Sequence, residues 1–188
     1  MNKQRYLMVV SGPSGCGKST VVKELCNNYP DVEVAISATT RPGRAGEEDG
    51  VAYHFWTEER FLAQLAEGAF FEHTFYLGNY YGTLRSEVEA RLSQGIGCVL
   101  EIEVEGARHA KQQYPECTTI FIEPPSREEL ERRLRGRGTE SEEAVQGRLR
   151  RAEEEMELAD SYDYRVVNHD PESCAEELYR ILKERQQV

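Results

Sequence analysis

Short apolar runs alternate with longer amphipathic stretches along this chain. Leu7–Ser11 is a compact apolar run, and Lys18–Asn28 repeats its apolar residues at helical spacing. Val32–Ser37 reads as a second strand, and a polar Gly/Pro-containing loop spans 39–50 before a short strand over Ala52–Trp56. Thr57 is placed to cap a helix reaching about Glu67, with Phe61, Leu62 and Leu65 on one face. Phe70–Tyr76 predicts a strand, Gly78–Gly82 a turn, and Leu84–Ser93 a helix stopped by Gly95 and Gly97. Cys98–Ile102 and Thr118–Ile122 are continuous apolar strands separated by a helix ending near Gln113. Pro124 and Pro125 end the second of these. Ser126 then caps a helix to about Arg135, with Glu129 at the capping-box position. Ser141 opens a long polar helix to about Ala159; a strand over 165–167 and a helix over Glu172–Arg185 close the chain.

Buried strands alternating with helices predict a three-layer α/β/α domain around a parallel sheet. Two stretches break the rhythm: 38–83, strand-rich, and 126–158, helical and charged. Both read as too polar to be core, and so as flaps. With 188 residues and no linker or repeat, one domain is expected, its core formed by 1–37, 84–125 and 159–188. The apolar share of 39% and charged share of 30% are those of a globular protein, and no apolar stretch approaches the ~20 residues of a membrane span. Met1–Arg5 leaves no room for a leader ahead of the first strand, and the five scattered cysteines show no C-x-x-C pair, so a reducing, cytoplasmic setting is expected. A net charge of −11 argues against nucleic-acid or anionic-membrane partners. Against that background two arginine clusters, Arg41/Arg44 and 127–151, suggest small phosphorylated ligands.

The clearest chemistry lies in Gly12-Pro13-Ser14-Gly15-Cys16-Gly17-Lys18-Ser19, followed by Thr20, which satisfies G-x-x-x-x-G-K-[ST] between a strand and a helix. Glycines let successive N–H groups point into one hollow, and the helix N-terminus adds positive potential there. Lys18 would bridge β- and γ-phosphates, and the Ser19 hydroxyl would ligate Mg²⁺. The pattern implies a nucleotide donor and leaves the acceptor open.

Four further strings resemble the guanylate kinases: Ser37–Arg44 (SATTRPGR), Gly78–Thr83 (GNYYGT), Leu100–Ala107 (LEIEVEGA) and Arg133–Glu140 (RLRGRGTE). The resemblance runs from the phosphate loop to Asn168. It implies a P-loop core carrying a GMP-binding insert (38–83) and an arginine-bearing lid (126–158), and phosphoryl transfer from ATP to GMP with Mg²⁺. It places Arg41, Arg44, Tyr53 and Tyr81 on the GMP phosphate. Glu72 sits where the family's carboxylate meets the N1–H and N2–H₂ donors of guanine, with Ser37 and Thr83 reading the base beside it. Arg137 and Arg148 match the lid arginines, with Arg133 as a helper, and Asn168 matches an adenine contact. Arg44 counts with Lys18, Arg137 and Arg148 among the charges that assist transfer.

The chain departs from the family pattern at Glu103 and His169, both commonly Asp, and at Glu105, usually Gln. The extra methylene of Glu103 pushes its carboxylate outward by about 1 Å, which shifts the burden of guanine selectivity toward Glu72. Glu101, at the end of its strand, is the expected partner of Mg²⁺ or its waters. None of the four histidines is placed for catalysis. Two other readings stand beside this one: a non-catalytic scaffold, disfavoured by Lys18, Ser19, Arg137 and Arg148, and a kinase of another phosphorylated acceptor, disfavoured by Glu72, Tyr81 and the Arg41/Arg44 pair.

Overall fold

The computed structural model describes residues 6–136 and 142–187. Strand β1 (Leu7–Ser11) is buried along its whole length at the centre of a five-stranded parallel sheet. It is flanked by β7 (Gly97–Glu101) and β8 (Thr118–Glu123), with β2 (Val32–Val34) and β9 (Tyr164–Val167) at the edges. Side chains alternate in direction along a strand, so Met8 and Val10 pack with Val21, Leu25 and Leu178 from α1 (Lys18–Asn28) and α7 (Pro171–Gln187). Leu7 and Val9 face the other way. They join Val88, Ala107 and Ala110 from α3 (Arg85–Ser93) and α4 (Val104–Gln113). Cover on both faces explains the unbroken apolar runs of the central strands.

The run expected as one strand over Val32–Ser37 is divided between two sheets. β2 ends at Val34, and β3 (Ser37–Thr39) belongs to a second, four-stranded sheet ordered β4-β3-β6-β5. The stretch Val-Glu-Val-Ala-Ile-Ser carries no sign of a change of partner. The remaining strands of that sheet are β4 (His54–Phe55), β5 (Phe70–Tyr76) and β6 (Asn79–Leu84). The turn expected over Gly78–Gly82 is only Leu77-Gly78, both at positive φ (48° and 79°), which suits a tight hairpin. Gly82 lies inside β6 instead, because a Cβ there would come within 2.7 Å of the Phe70 ring and 2.9 Å of the Glu72 carbonyl. The glycine serves close packing, not a turn.

Both excursions carry small cores of their own, contrary to their polar look. In the insert, Ala38, Phe61 and Phe70 are buried with Trp56, Leu65 and Tyr80 around them, and Phe61 stacks on Phe70 at 4.3 Å. Helix α2 (Glu58–Ala66) supplies Phe61, and the Thr57 hydroxyl caps it by accepting from Arg60 N. In the lid, α5 (Arg127–Arg135) and α6 (Glu142–Met156) bury Leu130, Leu134, Val145, Leu149 and Ala152 between them. Ser126 caps α5 as expected, at 3.1 Å from Glu129 N, but the Glu129 carboxylate turns to Arg132 and Arg133 instead of closing the box. Helix α6 stops at Met156, short of Ala159, where a 3₁₀ turn begins. Its expected opening residue, Ser141, lies outside the described residues. No described helix is long and apolar enough to cross a membrane.

Candidate active site, a cleft with two ends

The strands of the parallel sheet end at a cleft of about 710 Å³ between the core, the insert and the lid. The carboxyl edge of an open α/β sheet is where ligands settle. At one end lies the glycine loop that joins β1 to α1. Gly12, Gly15 and Gly17 all have positive φ (145°, 94° and 95°), and a Cβ on Gly12 would fall 2.2 Å from the Ile122 carbonyl oxygen. Gly17 occupies the N-cap of α1 with no side-chain cap, so the first N–H groups of the helix are left to face a ligand. Lys18 folds back along the loop, donating to the carbonyls of Gly12 and Pro13. Burial alone would depress its pKa, but nearby Cys16 and the carboxylates of Glu103, Glu101 and Glu155 outweigh that and hold it above its ordinary value. Burial also raises the Cys16 thiol above its ordinary value. Ser19 Oγ donates to Glu101 Oε1 at 2.5 Å, and Arg148, from α6, reaches Ser14 Oγ at 2.7 Å.

The other end is built by the insert. β3, β6 and β5 lie side by side, and their register sets Ser37 opposite Thr83 and Thr83 opposite Glu72. The Thr83 amide and hydroxyl both donate to Glu72 Oε1, at 3.0 and 2.8 Å. The Thr83 proton is thereby committed, so Ser37 Oγ donates to Thr83 Oγ1 across their 3.0 Å contact. A β-bulge between Phe70 and Glu72 makes this possible. It sends Phe70 into the insert core and Phe71 onto Tyr114 in the main core, and leaves Glu72 against the cleft. Glu72 is 3% exposed, and burial raises its pKa to about 7 against the lowering effect of the Thr83 hydrogen bonds. Gly106 leaves it room, since a Cβ there would lie 2.7 Å from Glu72 Oε2.

Beyond Glu72, Arg41 lies over the Tyr53 ring (5.2 Å), and Tyr53 meets Tyr81 edge-on at 6.1 Å. Burial pushes the Tyr53 phenol up to about 12, so it remains a donor throughout the neutral range. Arg44 also lines the cleft. The floor between the ends carries Glu103, whose Oε2 is buried without a hydrogen-bond partner among the described residues.

Most predicted site residues meet in this one cleft. Ser14, Gly15, Gly17, Lys18, Ser19 and Thr20 line it with Ser37, Arg41, Arg44, Tyr53, Glu72, Tyr81, Glu101, Glu103 and Arg148. Gly12, Pro13 and Cys16 shape the loop from behind. Thr83 is fully buried and reaches the cleft through Glu72 and Ser37, both of which it hydrogen-bonds. Asn168 is 2% exposed, and its amide donates to the Cys16 carbonyl at 2.8 Å, a position under the loop and away from the cleft wall. Arg133 reinforces it, donating to the same carbonyl at 3.0 Å and to Asn168 O at 3.2 Å. Arg137 lies outside the described residues. Two contacts carried no signal in sequence. Glu47 grips Arg41 through both carboxylate oxygens, at 2.7 and 2.8 Å, but reads as one of three consecutive acids. Arg151 of the lid lies 4.1 Å over the Tyr76 ring of the insert.

A parallel sheet whose first strand runs through a glycine loop into a helix, with Lys and Ser at the loop's end, defines an α/β phosphate-loop protein of the phosphoryl-transfer type. The guanylate kinase family model matches residues 4–185. Guanylate kinases of Prochlorococcus marinus subsp. pastoris (45% identical, 97% of this chain and all of the relative) and Synechocystis sp. (48% identical, 95% and 93%) are similar over nearly their whole lengths. A crystal structure of guanylate kinase from Anaplasma phagocytophilum superposes with a TM-score of 0.81 at 33% identity, covering 97% of this chain and 86% of that one. The chain belongs to the guanylate kinase family.

Proposed function

We infer that this chain transfers the terminal phosphoryl group of ATP to GMP, giving ADP and GDP. The observation that carries the reading is a single cleft with a phosphate loop at one end and, at the other, a buried carboxylate beside a two-arginine, two-tyrosine wall. GMP would lie with its phosphate between Arg41, Arg44, Tyr53 and Tyr81. The arginine forks neutralise the dianion while the phenols fix its direction. Glu72, held by Thr83 with Ser37 behind it, accepts from the N1–H and N2–H₂ of guanine, whereas adenine presents a lone pair at N1 and is repelled. The orphaned Oε2 of Glu103 supports a second acceptor near the 2-amino group.

Transfer needs no strong base, because the attacking phosphate oxygen is already ionised at neutral pH. Catalysis becomes positioning and charge neutralisation. Lys18 and the helix N-terminus hold the donor phosphates. Arg148 crosses from the lid toward them, joined by Arg137 in the same role, and lid closure limits hydrolysis by excluding water. Asn168, with Arg133, holds the loop's shape and supports the adenine side through it. Magnesium suits the donor set: Ser19 and Glu101 meet at 2.5 Å with hard oxygens, and Mg²⁺ commonly takes one or two carboxylates with substrate phosphates. Those two residues would hold it, and it would supply charge neutralisation between the β- and γ-phosphates. In this reading the insert (38–83) and lid (126–158) are moving parts on a core of 1–37, 84–125 and 159–188.

Side-by-side assays of ATP-dependent phosphorylation of GMP, AMP, CMP and UMP test the reading, which requires strong preference for GMP. Comparable turnover of AMP, or none of GMP, would overturn it. Lys18→Ala should abolish turnover and leave GMP binding within a few-fold by calorimetry, because the two ends of the cleft bind different substrates.

A further inference from the structure

Arg41 is held by more contacts than an ordinary surface arginine, and their arrangement leaves part of it free. A guanidinium has five N–H donors in a planar fork. Here Nη1 donates to Glu47 Oε2 (2.7 Å) and to the Pro42 carbonyl (2.8 Å), and Nη2 donates to Glu47 Oε1 (2.8 Å). Two hydrogens remain, on Nε and Nη2, and these form the side-on edge that matches two oxygens of a phosphate. No acceptor among the described residues takes that edge. One face of the guanidinium is covered by the Tyr53 ring, and Phe55 lies 5.6 Å away. Glu47 is itself fixed: it accepts from the Arg44 amide (2.7 Å), and its own amide donates to the Arg44 carbonyl (3.0 Å). One carboxylate therefore orients Arg41 and closes the loop that presents Arg44.

We propose that Glu47 is a positioning residue for the acceptor phosphate, gripping one edge of Arg41 so that its Nε–Nη2 edge is presented to the ligand and folding 44–47 so that Arg44 stands beside it. The inference rests on the functional reading above and adds to it a residue that touches no substrate. An arginine on a flexible loop loses side-chain entropy when a phosphate fixes it. Glu47 accounts for that ordering in advance. The partnership holds across the working range, since the Arg41 hydrogen bond brings the Glu47 carboxyl down to about 2. The opposite role, a carboxylate that competes with the incoming anion, would require Glu47 to occupy the side-on edge, and it occupies the other one.

The experiment is steady-state kinetics with GMP, AMP and ATP on wild type, Glu47→Gln, Glu47→Ala, Arg41→Ala and the Arg41→Ala/Glu47→Ala double variant, with thermal denaturation of each. Glu47→Ala should raise the KM for GMP by about 10-fold or more, the scale of a misplaced binding group. The KM for ATP should stay within about twofold, and the ratio of kcat/KM for GMP over AMP should be unchanged, because base reading lies with Glu72. Glu47→Gln keeps one acceptor and should lose less. It also serves as the test if Glu47→Ala fails to fold. Since Glu47 acts through Arg41, the double variant should be little worse than Arg41→Ala alone. An unchanged or lower KM for GMP in both Glu47 variants, or fully additive effects with Arg41→Ala, would overturn the proposal. A wild-type chain that does not turn over GMP would sink the functional reading and this inference with it, whereas wild-type turnover with unaffected Glu47 variants sinks the inference alone.

Discussion

The two ends of the cleft are built by different means. The donor end is backbone: glycines at positive φ, carbonyls gripping Lys18, and helix N–H groups, all within the eight residues from Gly12 to Ser19. The acceptor end is side chain, assembled from β3, β5, β6 and the loop between β3 and β4, so that its parts are up to 46 residues apart. Backbone sites tolerate little, because a peptide group cannot be exchanged for another. Side-chain sites can be tuned one residue at a time, at the cost of depending on sheet register. In the proposed function, the same fold thus pairs a rigid phosphate cradle with an adjustable recognition surface.

Glycine substitution should show the contrast most sharply. Gly12→Ala forces a Cβ to 2.2 Å from the Ile122 carbonyl at a φ of 145°, combining overpacking with backbone strain. A loss of about 3 kcal/mol or more is expected, a fall of roughly 6–12 °C in Tm for a chain of this size, together with loss of turnover. Gly78→Ala, at the tip of the acceptor-side hairpin, also has positive φ (79°) but nothing within 4 Å, and should cost only about 1–2 kcal/mol. Equal losses in thermal denaturation would mean that the donor loop is no more constrained than a surface turn.

In the proposed function, Glu72 is where the acceptor end gives up stability for recognition. Its folded pKa of about 7 lies above the ordinary 4.5, so the stability linked to its neutral form is full below about pH 4.5 and lost as pH rises through 7. Glu72→Gln removes the charge while keeping an acceptor for Thr83. The variant should therefore be more stable than wild type at pH 8, by up to about 3 kcal/mol, and show little difference at pH 4.5. Its preference for GMP over AMP should fall by about 10²-fold or more. In wild type the KM for GMP should rise as pH drops from 8 to 5.5, more steeply than in the variant. That comparison matters because the GMP phosphate itself titrates near a pKa of about 6. A variant equally selective, or less stable at pH 8, would remove Glu72 from the recognition role.

Asn168 tests whether the donor end is backbone alone or backbone with supports. Asn168→Ala removes one of the two donors to the Cys16 carbonyl and leaves Arg133 in place. About 1–2 kcal/mol of stability should be lost, with a few-fold rise in the KM for ATP and none for GMP. A change confined to GMP would contradict the position of Asn168 beneath the loop.

The same contrast explains what could be read from the chain. The donor loop is one contiguous string whose geometry follows from its glycines, so both its site and its flanking elements were legible. The insert was not, in detail. Val32–Ser37 conceals a change of sheet, Gly82 looks like a turn yet fills a contact, and the bulge at Phe70–Glu72 cannot be seen in three consecutive residues that all become buried. Glu72, Tyr53 and Tyr81 were recoverable through family resemblance, which supplies the register that local pattern lacks. Glu47 carries no local mark distinguishing it from Glu48 and Asp49. Its role appears only when the 41–47 loop is closed in space.

The smallest expected effect concerns a contact between the insert and the lid. Arg151, on α6, stands 4.1 Å over Tyr76, on β5, while its guanidinium also meets Glu155 at 3.1 Å. The ring face rather than the phenol group makes this contact, so Tyr76→Phe should be close to neutral and Tyr76→Leu should not. Partial exposure limits the pair to about 0.5–1 kcal/mol, two- to fivefold in an equilibrium between open and closed arrangements. A double-mutant cycle of Arg151→Gln and Tyr76→Leu, read in the KM for GMP with ATP saturating, should return a coupling of that size. Removing Arg151 also leaves Glu155 without its ion pair, and only the cycle separates that loss from the ring contact. A coupling of zero would mean that this pair does not tie the insert to the lid.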